Sequence, residues 1–179
     1  EDSFTPSEFE ITPYLKEKEN RLAVEVYRYS TASWLEDQDF WRFSGIFRDV
    51  YLYAVPEIHV RDMKVIADYD YENGNGILTT ELDIIGEKDY SVKLTLTDKN
   101  GIKVYEGDTA NVSALIPDVM PWSAEQPNLY TLTAEISSDS EIIETAETKV
   151  GFRTFELKHG IMCLNGKRII FKGINRHEW

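Results

Sequence analysis

The chain has 179 residues, of which 42% are hydrophobic and 12% aromatic, so it can bury the core of one or two domains. Its 32 acidic and 19 basic residues give a formal net charge of −13, which repels phosphate backbones and argues against a nucleic-acid partner. No apolar run approaches the roughly 20 residues of a membrane-spanning helix. We therefore expect no membrane partner and a soluble protein, whose compartment the sequence leaves open.

Residues 1–57 predict an all-β unit that contains one irregular acidic loop. Residues 21–27 alternate polar and apolar side chains, and residues 49–55 form a second β-rich segment. Between them, residues 35–50 (LEDQDFWRFSGIFRDV) place carboxylates and two arginines among four aromatic side chains, with neither helical nor strand periodicity. Such a loop is either one wall of a pocket for a polar ligand or a surface loop whose aromatic residues cover the edge of a core.

The stretch from residue 58 to residue 150 predicts an immunoglobulin-like sandwich. Segments with strand character recur with turn signals between them, at residues 58–67, 77–85, 91–97, 102–105, 129–136 and 142–150. Val92, Leu94 and Leu96 alternate with polar side chains, so we expect them to point inward. Asn100-Gly101 predicts a hairpin turn with positive φ angles. No stretch of the chain predicts a helix.

Residues 117–129 form a proline-rich connection between two of these predicted strands. It contains three prolines and Trp122. The prolines exclude a central strand, because proline lacks the N–H that a β-ladder needs. Trp122 could stack on a ligand, or it could pack over the end of the sandwich or against a neighbouring domain.

Polar residues follow a strongly apolar strand at the end of the chain. Residues 162–171 predict a hairpin with a type I′ turn at Asn165-Gly166, and we expect Cys163 within it to be a buried structural thiol. Residues 169–174 show little alternation, which is typical of a strand buried on both faces in a parallel sheet or barrel. Asn, Arg, His and Glu then occupy residues 175–178, where an α/β barrel carries its active site. The sequence stops before any helix, so we expect a fragment.

Two motifs resemble the signatures of glycoside hydrolase family 2, in particular of its bacterial lactose-operon-type β-galactosidases. They are LEDQDFWRFSGIFRDV at residues 35–50 and LNGKRIIFKGINRHEW at residues 164–179. Residues 122–130 and 150–153 also resemble the immunoglobulin-like domain of that family. The resemblance implies an all-β chain in three parts: residues 1–57 as the C-terminal part of a jelly-roll sugar-binding domain, residues 58–153 as an immunoglobulin-like β-sandwich, and residues 154–179 as the first strands of a catalytic (β/α)8 barrel.

The resemblance also implies an activity for the parent protein. Family members of this type hydrolyse terminal non-reducing β-D-galactosides such as lactose by a retaining mechanism with two glutamates. The resemblance places these glutamates, and the magnesium ligands, beyond Trp179, so we expect no catalytic residue in this chain and no activity of the chain alone. The implied partners are a β-galactoside, the remainder of the parent chain and further copies in a homo-oligomer.

Two residues carry over from the sugar site of the family. Asp39 matches an aspartate that binds the sugar hydroxyl at C6 and a sodium ion, which suits a carboxylate because it accepts hydrogen bonds and coordinates hard cations. His177 matches a histidine that contacts the galactosyl group in the transition state.

Two alternative functions remain open. One is a non-catalytic carbohydrate-binding or spacer module, and the other is a family member that acts on another β-glycoside, such as a β-glucuronide or a β-mannoside. DQDFW at residues 37–41 argues against the second alternative, because relatives with those substrates diverge from the galactosidases here.

Overall fold

Strands make up nearly all of the regular structure in the computed structural model, which describes residues 5–31, 33–36 and 45–175. The described residues form two compact units. One runs from Tyr53 to Lys172, and the other comprises the residues before Tyr53 together with those from Gly173 onward. The strands of the described chain are β1 (His59–Asp70), β2 (Asn75–Ile85), β3 (Ser91–Thr97), β4 (Lys103–Gly107), β5 (Val112–Ile116), β6 (Tyr130–Ser138), β7 (Glu141–Val150), β8 (Phe155–Lys158), β9 (Ile161–Leu164) and β10 (Lys167–Arg168).

The first seven strands form the predicted immunoglobulin-like sandwich. One sheet has the order β1–β2–β5 and the other the order β4–β3–β6–β7, and all pairs are antiparallel. Buried side chains of both sheets share a core cluster, which includes Leu78 and Ile116 from the first sheet and Leu96 and Leu132 from the second. The two sheets therefore pack face to face, and the prediction of an all-β sandwich is confirmed.

Strict alternation of side chains produces this core. Val92, Leu94 and Leu96 of β3 are buried while the residues between them are not, as the sequence predicts. Thr80 of β2 is the buried polar residue of the described core, and its hydroxyl donates a hydrogen bond to the Ala110 carbonyl at 3.1 Å. This bond satisfies the hydroxyl, so the polar side chain does not leave a buried donor unpaired.

One strand escaped prediction, and one hairpin turn differs from the prediction. β5 is only five residues long and contains serine and alanine, which have little strand preference. In the Asn100-Gly101 turn only Gly101 has a positive φ, of +80°. The Asp98 carboxylate accepts the backbone N–H groups of Asn100 and Ile102, both at 2.8 Å, and this side-chain cap selects a wider loop than a two-residue type I′ turn. Asn165-Gly166 does form the predicted type I′ turn, with φ angles of +50° and +75°.

The strands predicted at residues 21–27 and 49–55 do not form. Both segments lie outside the strands of the described chain, and the alternating Leu22, Val24 and Val26 remain exposed. A strand needs a paired neighbour and a layer beneath its apolar face, and the described residues supply neither. The expectation of a helix-free chain is also wrong, because a 3-10 turn at Thr12–Tyr14 and a short helix, α1 (Ser33–Glu36), are present.

Within the described part of residues 154–179, the strands are antiparallel, unlike the parallel strands of the barrel start predicted there. β8, β9 and β10 instead form a small antiparallel sheet of order β10–β9–β8. The apolar residues after it, Ile170, Phe171 and Ile174, are exposed rather than buried on two faces, and Ile174 is 88% exposed. Burial on both faces requires flanking strands, and no strand of the described chain pairs with this segment.

Candidate functional site

The two residues that the resemblance assigns to sugar binding, Asp39 and His177, lie outside the described residues. Before Asp39 the described residues end with α1, and after it they begin again at Gly45, which has a φ of +89°. At the other end it reaches the exposed Asn175, two residues before His177. The roles of Asp39 and His177 therefore stay predictions.

A pair of serines shapes the entrance to the acidic loop. The backbone N–H of Ser30 donates to the Ser33 hydroxyl at 2.9 Å, and the N–H of Ser33 donates to the Ser30 carbonyl at 3.1 Å. These reciprocal bonds close the turn from which α1 begins. Leu35 and Glu36, the first two residues of the acidic loop, therefore lie in a short helix that begins at this turn.

The best-defined polar cluster of the described chain lies where the chain leaves the sandwich. We call Tyr69, Trp122, Thr154 and Asn165 the junction cluster. The Thr154 hydroxyl accepts the Tyr69 N–H and donates to the Tyr69 carbonyl, both at 3.0 Å. The Asn165 side chain accepts the Thr154 N–H at 3.0 Å and donates to the Trp122 carbonyl at 3.1 Å. Three segments that are distant in sequence are thereby joined by partly buried bonds.

Trp122 packs at the end of the sandwich, which was one of its three predicted alternatives. The backbone N–H of Trp122 donates to the backbone carbonyl of the fully buried Phe152 at 2.8 Å. The Arg153 guanidinium carbon lies 4.6 Å from the centre of its ring. A Cβ atom at Gly151 would come within 3.0 Å of Trp122. The partly buried ring is therefore contacted by Arg153 and lies close to Gly151, both at the end of the sandwich.

Tyr71 brings the small sheet onto the end of β1. Its hydroxyl donates to the Glu156 carboxylate at 2.9 Å and accepts a hydrogen bond from the Lys158 ammonium group. The bond to Tyr71, followed by the charge of Glu156, raises the pKa of Lys158 above its usual value. A Cβ atom at Gly166 would meet the Tyr71 ring at 2.9 Å, so only glycine fits there without a shift.

The acids with shifted pKa values at the sandwich turns act as turn caps. The Asn73 side chain donates to Asp70 at 2.7 Å and lowers the pKa of that carboxyl. The backbone N–H of Ile102 does the same for the pKa of Asp98. Within the described ranges, no three His, Cys, Asp or Glu side chains come together in a way that could hold a metal ion.

One groove of the described residues lacks the pair of carboxyl groups that glycoside hydrolysis requires. A shallow open groove between β2 and β5 is lined by Thr79, Glu81, Asn111 and Ser113, among others. Its single acid, Glu81, is paired with Lys64 at 3.1 Å. Retaining hydrolysis needs two carboxyl groups about 5–5.5 Å apart on either side of the scissile bond, and this groove offers one.

Cys163 is buried, as predicted for a structural thiol. No helix in the described part of the chain has the length and apolar character to cross a membrane.

Sequence reasoning missed the junction cluster. It identified Asn165 only as a turn residue and did not single out Tyr69 or Thr154 at all. The bonded partners of Asn165 and Thr154 lie 43 and 85 positions away. No local periodicity encodes such contacts, and the sole available signal was an Asn at a turn position where Gly would suffice.

Comparison with protein families assigns two consecutive parts of the chain, residues 1–56 and 58–153, to one family. Residues 1–56 match the sugar binding domain of glycosyl hydrolases family 2, and residues 58–153 match a second domain of the same family. The solved structures of Ruminococcus gnavus β-glucuronidase share the fold, with a TM-score of 0.60 for one structure that is 22% identical over 66% of this chain and 20% of that one.

Several curated relatives are similar over the whole chain. The β-galactosidase of Streptococcus thermophilus is 55% identical over 100% of this chain and 18% of its own length. The β-galactosidase of Clostridium acetobutylicum is 53% identical over 100% of this chain and 21% of its own length. The β-galactosidase large subunit of Latilactobacillus sakei is 46% identical, again over 100% of this chain, and 29% of that subunit is covered. The chain thus spans less than a third of these relatives, and it belongs to glycosyl hydrolases family 2.

Proposed function

We propose that this chain is part of a β-galactosidase that hydrolyses terminal β-D-galactosides with retention of configuration. The observation that carries the proposal is the 55% identity with the Streptococcus thermophilus β-galactosidase over the full length of the chain. An isolated binding module would be expected to match such an enzyme over one domain, whereas this match runs through both family domains. A role as a separate carbohydrate-binding or spacer module is therefore less well supported.

In this proposal the chain contributes sugar contacts, and the rest of the parent protein contributes the catalytic carboxyl pair. The carboxylate of Asp39 accepts a hydrogen bond from a hydroxyl of the galactosyl group, because an ionised carboxylate offers only acceptors. His177 contacts the same sugar group, and a bond that strengthens as the oxocarbenium-like transition state forms lowers the barrier.

The proposed enzyme binds sodium and magnesium, and this chain would supply a ligand only to sodium. Sodium is a hard cation that prefers oxygen ligands, and Asp39 would supply one carboxylate oxygen. The magnesium ligands would lie in other parts of the parent chain. Among the described acids, Asp70 and Asp98 cap turns, and Glu81 is paired with Lys64.

Further chains are part of the proposed assembly. Two relatives carry the name β-galactosidase large subunit, from Latilactobacillus sakei at 46% identity and Lactobacillus acidophilus at 42% identity. These names support a parent protein that works together with other polypeptide chains. They do not support identical copies, so the homo-oligomer that we propose rests on the resemblance to the family alone.

A substrate panel tests the proposed function. The full-length parent protein would be assayed with nitrophenyl β-galactoside, β-glucuronide and β-mannoside under the same conditions. We expect kcat/KM for the galactoside to exceed the other two by at least about 100-fold, because sites that hydrogen-bond particular hydroxyl groups reject analogues that leave those bonds unmade. Preference for the glucuronide would assign the parent to another activity of the family. No turnover of any of the three would favour a binding module.

A further inference from the structure

Asparagine stands directly before glycine at four positions of the sequence, and this pair of residues can react with itself. The four pairs are Asn73-Gly74, Asn75-Gly76, Asn100-Gly101 and Asn165-Gly166. The backbone nitrogen of the glycine can attack the side-chain amide carbon of the asparagine, because glycine has no side chain that blocks the approach. In a folded protein the reaction also requires that the amide and the glycine leave their native contacts. The structure therefore decides which of the four pairs reacts.

Two of the pairs are held by residues from distant parts of the chain. The Asn165 side chain accepts the Thr154 N–H at 3.0 Å and donates to the Trp122 carbonyl at 3.1 Å, and both bonds are partly buried. Gly76 is buried in β2, which pairs with β1 on one side and β5 on the other. A Cβ atom at Gly76 would come within 2.6 Å of the Phe152 ring. Neither pair can react without breaking contacts of the folded core or the junction cluster, so both are protected.

The third pair, Asn73-Gly74, lies in the turn between β1 and β2. Asn73 is exposed, and its side-chain NH₂ donates to the Asp70 carboxylate at 2.7 Å. The Gly74 carbonyl accepts the backbone N–H of Val119 at 3.2 Å. This bond attaches the turn to the segment after β5, so the turn does not open on its own.

The fourth pair, Asn100-Gly101, has contacts within its own loop. Both residues are exposed, and a Cβ atom at Gly101 would meet no heavy atom within 4 Å. The Asn100 side-chain NH₂ donates to the Asp98 carboxylate at 3.1 Å, and the Gly101 N–H donates to the Asp98 carbonyl at 3.0 Å. Among the described residues, the hydrogen bonds of this pair stay within residues 98–102. Opening the loop breaks exposed bonds that water replaces, which costs less than breaking buried ones.

We propose that Asn100 is the preferred site of spontaneous deamidation among these four pairs, through attack of the Gly101 backbone nitrogen on its side-chain amide carbon. The Gly101 nitrogen loses its proton to hydroxide and forms a bond to Cγ of Asn100. The bond between Cγ and Nδ2 then breaks, and ammonia leaves after taking up a proton from water. The product of this step is a five-membered cyclic imide.

Water opens the imide in one of two ways. Cleavage of the newly formed bond to Cγ gives aspartate, whereas cleavage of the bond to the backbone carbonyl carbon of residue 100 gives isoaspartate. Nothing is oxidised or reduced, and water is the only co-reactant. Either product places a second carboxylate beside Asp98, and the repulsion between like charges weakens the loop. This modification does not depend on the proposed function.

Peptide mapping of the full-length parent protein tests the proposal. The folded protein would be incubated at mildly alkaline pH, and mass spectrometry would follow the replacement of NH₂ by OH in the peptides that contain the four pairs. We expect Asn100 to react at least about tenfold faster than Asn75 and Asn165, and at least about threefold faster than Asn73. Faster or equal modification at any of these three would overturn the proposal.

The same measurement in guanidinium chloride separates structural protection from local sequence. Without the folded structure the four pairs share the same reactive dipeptide, so we expect their rates to agree within about threefold. If Asn100 led by the same ratios in the denatured protein, the folded structure would not be the cause, and the proposal would be wrong.

The matched variant is Asn100→Gln in the same exposed loop. Glutamine keeps the amide but would have to close a six-membered ring, so we expect modification at residue 100 to become at least about tenfold slower. The wild-type protein should yield isoaspartate as well as aspartate at this position. An equal rate in Asn100→Gln, or aspartate without isoaspartate in the wild type, would refute attack by the Gly101 nitrogen.

Discussion

Replacing Phe152 with alanine is expected to lower the free energy of unfolding of the sandwich by about 3–5 kcal/mol. The Phe152 side chain is 0% exposed, and its ring meets the Tyr130 ring edge-on at a centroid distance of 5.3 Å. Gly76 lies against the same ring, and a Cβ atom there would come within 2.6 Å of it. The substitution removes a large apolar side chain from a site that is surrounded by strands of both sheets. The resulting cavity therefore cannot easily collapse.

Phe155→Ala provides the matched control for this prediction. Phe155 is 51% exposed in β8 and contacts Phe171 at a centroid distance of 6.0 Å. We expect its replacement to cost about 1 kcal/mol or less, since little apolar area leaves the protein interior. Urea denaturation of the 179-residue chain, followed by circular dichroism and tryptophan fluorescence, measures both variants. Equal losses would mean that Phe152 is not at the centre of the core.

Replacing Asp39 with alanine in the full-length parent is expected to weaken galactose binding by about 10- to 100-fold, because a hydrogen bond to a charged group contributes about 1.5–3 kcal/mol. The same substitution should abolish the response of the rate to sodium, since the carboxylate is the proposed ligand that this chain supplies. The inhibition constant of galactose and the initial rate would be measured with and without sodium at constant ionic strength.

Asp62→Ala serves as the control for the Asp39 prediction. Asp62 is an exposed acid on β1, and its removal changes the net charge of the protein by the same amount. We expect galactose inhibition and the sodium response to be unaltered in this variant. If Asp39→Ala behaved like Asp62→Ala in both measurements, the assignment of Asp39 to the sugar and sodium site would be refuted.

The alternation of polar and apolar residues predicted a strand correctly only where the chain itself supplies the layer that covers the apolar face. Val92, Leu94 and Leu96 were expected to point inward and do so, because β6 pairs with β3 and the opposite sheet covers it. Residues 21–27 have the same pattern but form no strand, since the described residues offer that segment no neighbour. Periodicity identifies a face that can be buried, whereas the partner layer decides whether it is.

The same dipeptide also gave two different turns. Asn165-Gly166 adopts positive φ at both residues, whereas at Asn100-Gly101 only the glycine does. The carboxylate of Asp98, which accepts two N–H groups of its own loop, makes the difference. A local sequence signal therefore predicts the presence of a turn more reliably than its type.

The candidate site depended on family resemblance, because local physics could not single it out. An acid among aromatic residues at Asp39 is compatible with a pocket or with packing, and a histidine near the end of the chain has many possible roles. The junction cluster shows the opposite limitation: its geometry is clear in the structure, but it joins residues up to 85 positions apart, such as Tyr69 and Thr154. Neither kind of site follows from periodicity or spacing alone.

The most direct test of the account compares the turnover of nitrophenyl β-galactoside by the purified full-length parent and by the 179-residue chain alone. Retaining hydrolysis requires two positioned carboxyl groups, and we place both outside this chain. The account predicts steady-state hydrolysis by the parent and no turnover above the uncatalysed rate by the 179-residue chain. Circular dichroism would verify that the chain is folded in this experiment. Turnover by the chain alone, or none by the parent, would contradict it.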